Sequence, residues 1–202
     1  MTNHILKGIS FIFHPVIMPL LGVMFYFSKT PRFIPEPIIY AKLFSVTILT
    51  LILPILIFYL LKTIKIVKTI YLESPNERIL PLLINCTITI LVLYRVLPSN
   101  EIEELFYFFV GILCSSLACL ILAFLKFKAS LHMVASAGFF MFAVALSIHF
   151  KININGTIAL MCIIIGAIAT SRLHLKAHSN MELLIGFFIG LIPQLFVLNY
   201  WL

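Results

Sequence analysis

Stretches free of Asp, Glu, Lys and Arg run over residues 8–28, 43–61, 79–94, 105–125, 129–150, 152–171 and 183–202, separated by short polar segments. A helix crossing the hydrocarbon core of a bilayer needs about 20 apolar residues, with a range of roughly 17–25. Six stretches meet that length. The seventh, 79–94, is shorter, but Arg78 and Arg95 flank it and can snorkel toward the head groups. A lone buried core helix explains one such run, not seven. The pattern predicts an all-α, polytopic integral membrane helical bundle of about seven (six to seven) transmembrane helices, forming a single domain over 1–202. No internal repeat, low-complexity segment or linker interrupts it.

Composition agrees with this reading. Only 10% of the 202 residues are charged and the mean hydropathy is +1.16, whereas a soluble domain carries about 25% charged residues. The first span has Lys7 ahead of it, but Pro15 and Pro19 interrupt it and no small-x-small cleavage site follows, so a membrane helix is expected rather than a signal peptide. Cys86, Cys114, Cys119 and Cys162 all fall inside spans without paired ligand spacing, and they read as small packing residues. The net charge of +7 is spread over short loops. Attraction to anionic head groups or phosphate substrates accounts for it more simply than nucleic acid does. The expected setting is a bacterial cytoplasmic (inner) membrane.

The segments between spans are mostly explained by membrane chemistry. His14-Pro15 lies near one end of the first span, and His14 is expected to be a packed or interfacial histidine. Residues 28–37, SKTPRFIPEP, form a stiff proline-rich turn. Pro54 sits within the second span, where neighbouring groups can take up the freed carbonyl. Lys62, Lys65 and Lys68 read as a basic helix end at the head groups. Ser74-Pro75-Asn76 is a turn signal leading into Glu77-Arg78. Glu101, Glu103 and Glu104 suit the N-terminus of the fourth span, and no chemistry is assigned to them. Small residues in the last three spans, including the GxxxG pair Gly186 and Gly190, predict close helix packing.

One stretch departs from that pattern. Residues 171–182, SRLHLKAHSNME, gather an arginine, a lysine, two histidines and a carboxylate at the edge of a span, and charge of this density there is a functional-site hypothesis by default. If the stretch is helical, Ser171, His174, His178 and Glu182 share one face. Glu182 lies four residues from His178 and can accept its hydrogen bond, fixing the tautomer and raising the basicity. Helix parity then brings in two further clusters. Arg78 opens the third span, Lys128, Ser130 and His132 open the fifth, and Arg172 and His178 precede the seventh, so all three lie at one membrane face. Three cations with two histidines form an anion site with its own acid and base groups, an arrangement suited to phosphoryl transfer.

These residues resemble the type 2 phosphatidic acid phosphatase superfamily over roughly 68–190. SRLHLKAHSNME is similar to its S-R-x5-H-x3-D signature, with Glu182 in the place of Asp. KASLH (128–132) resembles the second motif, usually PSGH, keeping Ser130 and His132. Arg78 with Pro81 resembles the first, usually K-x6-R-P. The resemblance implies a metal-independent, cofactor-free membrane enzyme acting on a lipid phosphate. It implies His178 as a nucleophile forming a phosphohistidine, Glu182 orienting it and His132 as general acid. Arg78, Lys128, Ser130, Ser171 and Arg172 would hold the phosphate. The chain departs from the family in three ways. The first-motif lysine falls at Tyr71, so Lys128 or Lys68 would replace it; the second motif lacks its Pro and Gly; and two spans separate the first motif from the second.

Two other classes remain. A transporter or lipid-binding protein needs only the cations, and the presence of both histidines and the carboxylate favours the enzyme. A metal site has only the i, i+4 spacing of His174 and His178 behind it; no glutamate follows His174, and Arg172 and Lys176 oppose a cation. The lipid itself is not specified. Nine lysines and arginines fall on the proposed active face against five opposite. The positive-inside rule would put that face in the cytoplasm, but without the three site residues the comparison is six against five.

Overall fold

A computed structural model describes residues 2–67 and 74–202, and every regular element among them is helical. In chain order the α-helices are α1 (Thr2–Ile12), α2 (Met18–Lys29), α3 (Glu36–Val46), α4 (Leu53–Thr63), α5 (Pro75–Arg95), α6 (Glu103–Phe124), α7 (Leu131–His149), α8 (Asn155–His174) and α9 (Asn180–Val197). They make seven candidate spans: Leu6–Lys29, Glu36–Thr63, α5, α6, α7, α8 and Asn180–Tyr200. The protein is an integral membrane helical bundle. The second span begins earlier than its hydrophobicity indicates, because Pro37 sits in the first turn of α3, where its missing N–H is harmless.

Prolines shape three spans. His14-Pro15 breaks the first into α1 and α2 through a single 3-10 turn, Pro15–Ile17. In the second, a π-helical segment, Thr47–Ile52, directly precedes Pro54 and widens the turn where the proline ring would meet the carbonyl four residues back. In α9, Pro193 frees the Ile189 carbonyl, and the Ser115 hydroxyl of α6 lies 2.9 Å from it.

α7 is the central helix, packed by α2, α6, α8 and α9. Its contact with α9 depends on glycine. A Cβ at Gly190 would stand 2.0 Å from the Val134 carbonyl oxygen, and one at Gly186 would stand 2.8 Å from that of Ser130. The GxxxG pair is thus the surface on which the α7 backbone rests, and this close approach carries Ser130 to the first turn of α9.

Four helices end alike. Lys65, Lys126, Lys151 and Lys176, just beyond α4, α6, α7 and α8, have φ between 52° and 61°, the left-handed conformation that terminates a helix. Each also sets a positive charge at a helix C-terminus, where the macrodipole favours it.

The face opposite the 171–182 stretch has its own polar anchor, which the sequence alone does not mark. Glu104, buried in the first turn of α6, pairs with both Arg32 guanidinium nitrogens at 2.8 and 3.3 Å. It also meets His149 Nε2 at 3.2 Å and accepts from the Tyr26 hydroxyl at 3.2 Å. This ties the 30–35 loop to α6 and α7 above the core formed by Tyr26, Phe108, Phe142, Leu146 and Trp201.

Candidate functional site

The 171–182 stretch is not one helix, which corrects the helical-face expectation. α8 stops at His174 because Lys176 turns left-handed, and the Ala177 N–H donates to the Arg172 carbonyl at 3.0 Å, the longer of the two bonds of a Schellman turn. α9 starts afresh with Ser179 as its N-cap. The Ser179 hydroxyl accepts from the Glu182 N–H at 3.3 Å, and the Ser179 N–H donates to Glu182 Oε2 at 3.1 Å. This is a capping box, in which two orphan amides at the helix start are satisfied reciprocally. The S-x-x-E spacing of Ser179 and Glu182 was the sequence signal for the break.

The break changes how the polar residues are presented. Ser171 and Arg172 belong to the last turn of α8, His178 to the connecting turn, and Glu182 to the first turn of α9. His174, the last residue of α8, is exposed, and the break at Lys176 means that it and His178 do not share one continuous helix. His178 and Glu182 do meet, with Nδ1 2.8 Å from Oε2, although the capping turn and not a helical face brings them together.

Three cations surround His178. Arg78, Lys128 and Arg172 all act electrostatically on its imidazole, from α5, the α6–α7 loop and α8 respectively. Arg78 and Arg172 are nearly buried, as is His178. Arg78 Nη1 donates to the Ala129 carbonyl at 2.8 Å and so holds the loop carrying Lys128 against α5. The Ser130 N–H donates to the Glu182 carbonyl at 3.0 Å, tying that loop to α9 as well. The Ser130 hydroxyl is fully buried and has no hydrogen-bond partner among the described residues. It stands at the N-terminus of α7, whose first-turn amides have no intrahelical acceptor and whose dipole favours an anion. These amides are oriented as backbone donors although the segment has neither the proline nor the glycine of the motif it resembles.

Hydrogen bonding fixes the tautomers of two histidines. A carboxylate only accepts, so the His178 proton sits on Nδ1 toward Glu182 and the Nε2 lone pair is available. Burial pushes the His178 pKa below its ordinary 6.5, and Arg78, Lys128 and Arg172 push the same way, against the Glu182 hydrogen bond. His178 is therefore neutral near pH 7, the form with a nucleophilic nitrogen. His132 Nε2 lies 3.1 Å from the Ser10 carbonyl, which also only accepts, so Nε2 carries the proton and Nδ1 is the position that gains or loses one.

Ser171 is placed differently from the other expected phosphate contacts. Its hydroxyl is fully buried, donates to the Leu6 carbonyl at 2.7 Å and accepts from Ser10 Oγ at 2.7 Å. It fastens α1 to α8. Tyr71, where the first-motif lysine would fall, and Lys68, one of its two suggested replacements, lie outside the described residues. Sequence reasoning missed Ser10, whose carbonyl orients His132. His14, expected to be a packed or interfacial histidine, is half-buried, and its ring meets that of His132 edge-to-face at 5.5 Å. Among the described residues, no three His, Cys, Asp or Glu side chains are grouped to hold a metal ion. The chain matches no known protein family, no curated protein and no solved structure.

Proposed function

We propose that the protein is a membrane lipid phosphatase, hydrolysing a phosphate or diphosphate monoester on a lipid through a histidine nucleophile. The carrying observation is His178 held through Nδ1 by Glu182 at 2.8 Å, with Arg78, Lys128 and Arg172 acting on its imidazole. Three cations supply the charge neutralisation that phosphoryl transfer demands, and the lone pair on Nε2 supplies the attack.

In this reading the phosphoryl oxygens rest on the three cations, the Ser130 hydroxyl and the amides of α7. His178 Nε2 attacks phosphorus, forming an N–P bond as the bond to the leaving oxygen breaks. His132 Nδ1, which takes up a proton once the bound phosphate dianion offsets the neighbouring cations, gives that proton to the leaving oxygen while Nε2 stays on the Ser10 carbonyl. The now neutral Nδ1 then takes a proton from water, whose oxygen attacks phosphorus, releasing phosphate and regenerating His178. The carboxylate of Glu182 stabilises the cationic phosphohistidine. No step calls for a metal ion, and the guanidinium and ammonium groups around His178 would repel one.

The substrate class is a lipid with an accessible phosphate at the membrane surface: phosphatidic acid, phosphatidylglycerol phosphate, an isoprenyl diphosphate or a lipid A phosphate. The proposed setting is a bacterial cytoplasmic membrane. Phosphate release from a panel of these purified lipids tests the reading. Release from at least one, insensitive to a strong chelator and lost in His178→Ala, is expected. Binding of a lipid phosphate without release would leave a non-catalytic carrier or binding protein on the same cationic site.

A further inference from the structure

His14 has no part in the steps above, and its surroundings are unusual for a packing residue. It occupies the break between α1 and α2, just before Pro15, and is half-buried. Its ring stands edge-to-face with His132, centroids 5.5 Å apart and planes at 80°. Arg172 lies within electrostatic range of it. An apolar aromatic would fill the same volume without bringing another imidazole toward a guanidinium. As the N-cap of a single 3-10 turn, a histidine is a poor choice beside Ser, Asn or Asp.

Its position is also held from both sides. Ser10, four residues earlier, gives its carbonyl to His132 and its hydroxyl proton to Ser171, so the end of α1 is pinned to α7 and α8. Pro15 fixes the backbone on the other side. The Val16 N–H approaches Nδ1 at 3.4 Å. With Nδ1 accepting, the proton of His14 sits on Nε2, which makes the ring a neutral donor. A neutral donor is the group that can be added beside the cluster of Arg78, Lys128 and Arg172 without further repulsion between cations.

We infer that His14 is a phosphate-binding residue, donating from its Nε2–H to an oxygen of the phosphoryl group held by Arg78, Lys128 and Arg172. This rests on the site being a phosphate site and is independent of whether hydrolysis follows. α1 then forms a wall of the site, and the Ser10–Ser171 and Ser10–His132 bonds are what hold that wall in place.

The test uses the full chain in detergent, with each variant first shown to be folded by thermal unfolding. Binding of inorganic phosphate and of a short-chain phosphatidic acid is measured for wild type, His14→Phe and His14→Gln; His14→Met replaces the phenylalanine variant if that one does not fold. The two ligands separate recognition of the phosphate from recognition of the lipid. His14→Phe should weaken both by about tenfold or more, the loss expected for a hydrogen bond to a charged group, while His14→Gln keeps a donor and recovers most of the affinity. Unchanged binding in His14→Phe, equal losses in both variants, or no phosphate binding by wild type would overturn the inference. Histidine-dependent phosphate binding without release from any lipid would remove the hydrolytic reading and leave this one standing. Release that is lost in His178→Ala yet unaffected by His14→Phe, with unchanged binding, would do the reverse.

Discussion

At the scale of single residues, His178 and Glu182 carry most of the account. Glu182 both caps α9 and orients the imidazole. Glutamine serves a capping box as well as glutamate does, so Glu182→Gln separates the two roles. Turnover should fall at least tenfold with thermal stability and substrate affinity nearly unchanged; full turnover would take Glu182 out of the mechanism. Lys128→Ala and Arg172→Ala should each weaken lipid phosphate binding roughly ten- to hundredfold, the worth of about 1.5–3 kcal/mol for a charge-assisted hydrogen bond. Lys128→Ala should also move the pH profile. Burial and the cations lower the His178 pKa, so the neutral, active form persists below pH 6.5 and the acid limb of kcat/KM lies under that value. Removing a cation makes the imidazolium easier to form, so the limb must shift upward. A limb that stays fixed in Lys128→Ala would belong to another group. The polar residue types and their order were legible in the sequence, but the state of each was not. That Ser171 fastens α1, or that His132 is held by the Ser10 carbonyl, depends on contacts across more than a hundred residues.

Elements explain why the clusters meet. The seven spans were readable because each is an apolar run of membrane length between charged ends. The break at Lys176 was readable only through Ser179 and Glu182, since hydrophobic periodicity does not register a turn inside a polar stretch. The burial of Glu104 was not readable at all, because an acidic residue at a helix N-terminus is ordinarily solvated. The sequence marks the glycines as packing residues, but their effect on the site comes from a particular neighbour: Gly186 and Gly190 admit the α7 backbone and so bring Ser130 beside Glu182. Gly190→Ala places a methyl group 2.0 Å from a backbone oxygen. It should destabilise the protein by about 1–3 kcal/mol, as overpacking does, and lower activity with it, read by thermal unfolding and phosphate release. Gly166 in α8 is the control: a Cβ there meets nothing within 4 Å, and Gly166→Ala should be neutral or gain up to roughly 1 kcal/mol in helix propensity. Equal effects at the two positions would contradict the proposed role of the α7–α9 contact.

For the whole molecule, an odd number of spans with the three clusters on alternate connections puts all of them at one surface, while the Glu104 anchor lies at the other. In a background lacking the four native cysteines, single cysteines at Asn76, Leu125 and Asn180 should react with an impermeant thiol reagent from the same side, and one at Asn100 from the opposite side. Labelling of Asn76→Cys and Asn180→Cys from different sides would break both the topology and the site. The chemistry has a more direct test. The protein is mixed with a lipid carrying radiolabelled phosphate, quenched in alkali during turnover, where a phosphohistidine survives, and digested to locate the label. Phosphate is expected on His178, absent from His178→Ala along with all phosphate release, and unaffected by a chelator. Turnover with no label on His178, or release that persists in His178→Ala, would contradict it.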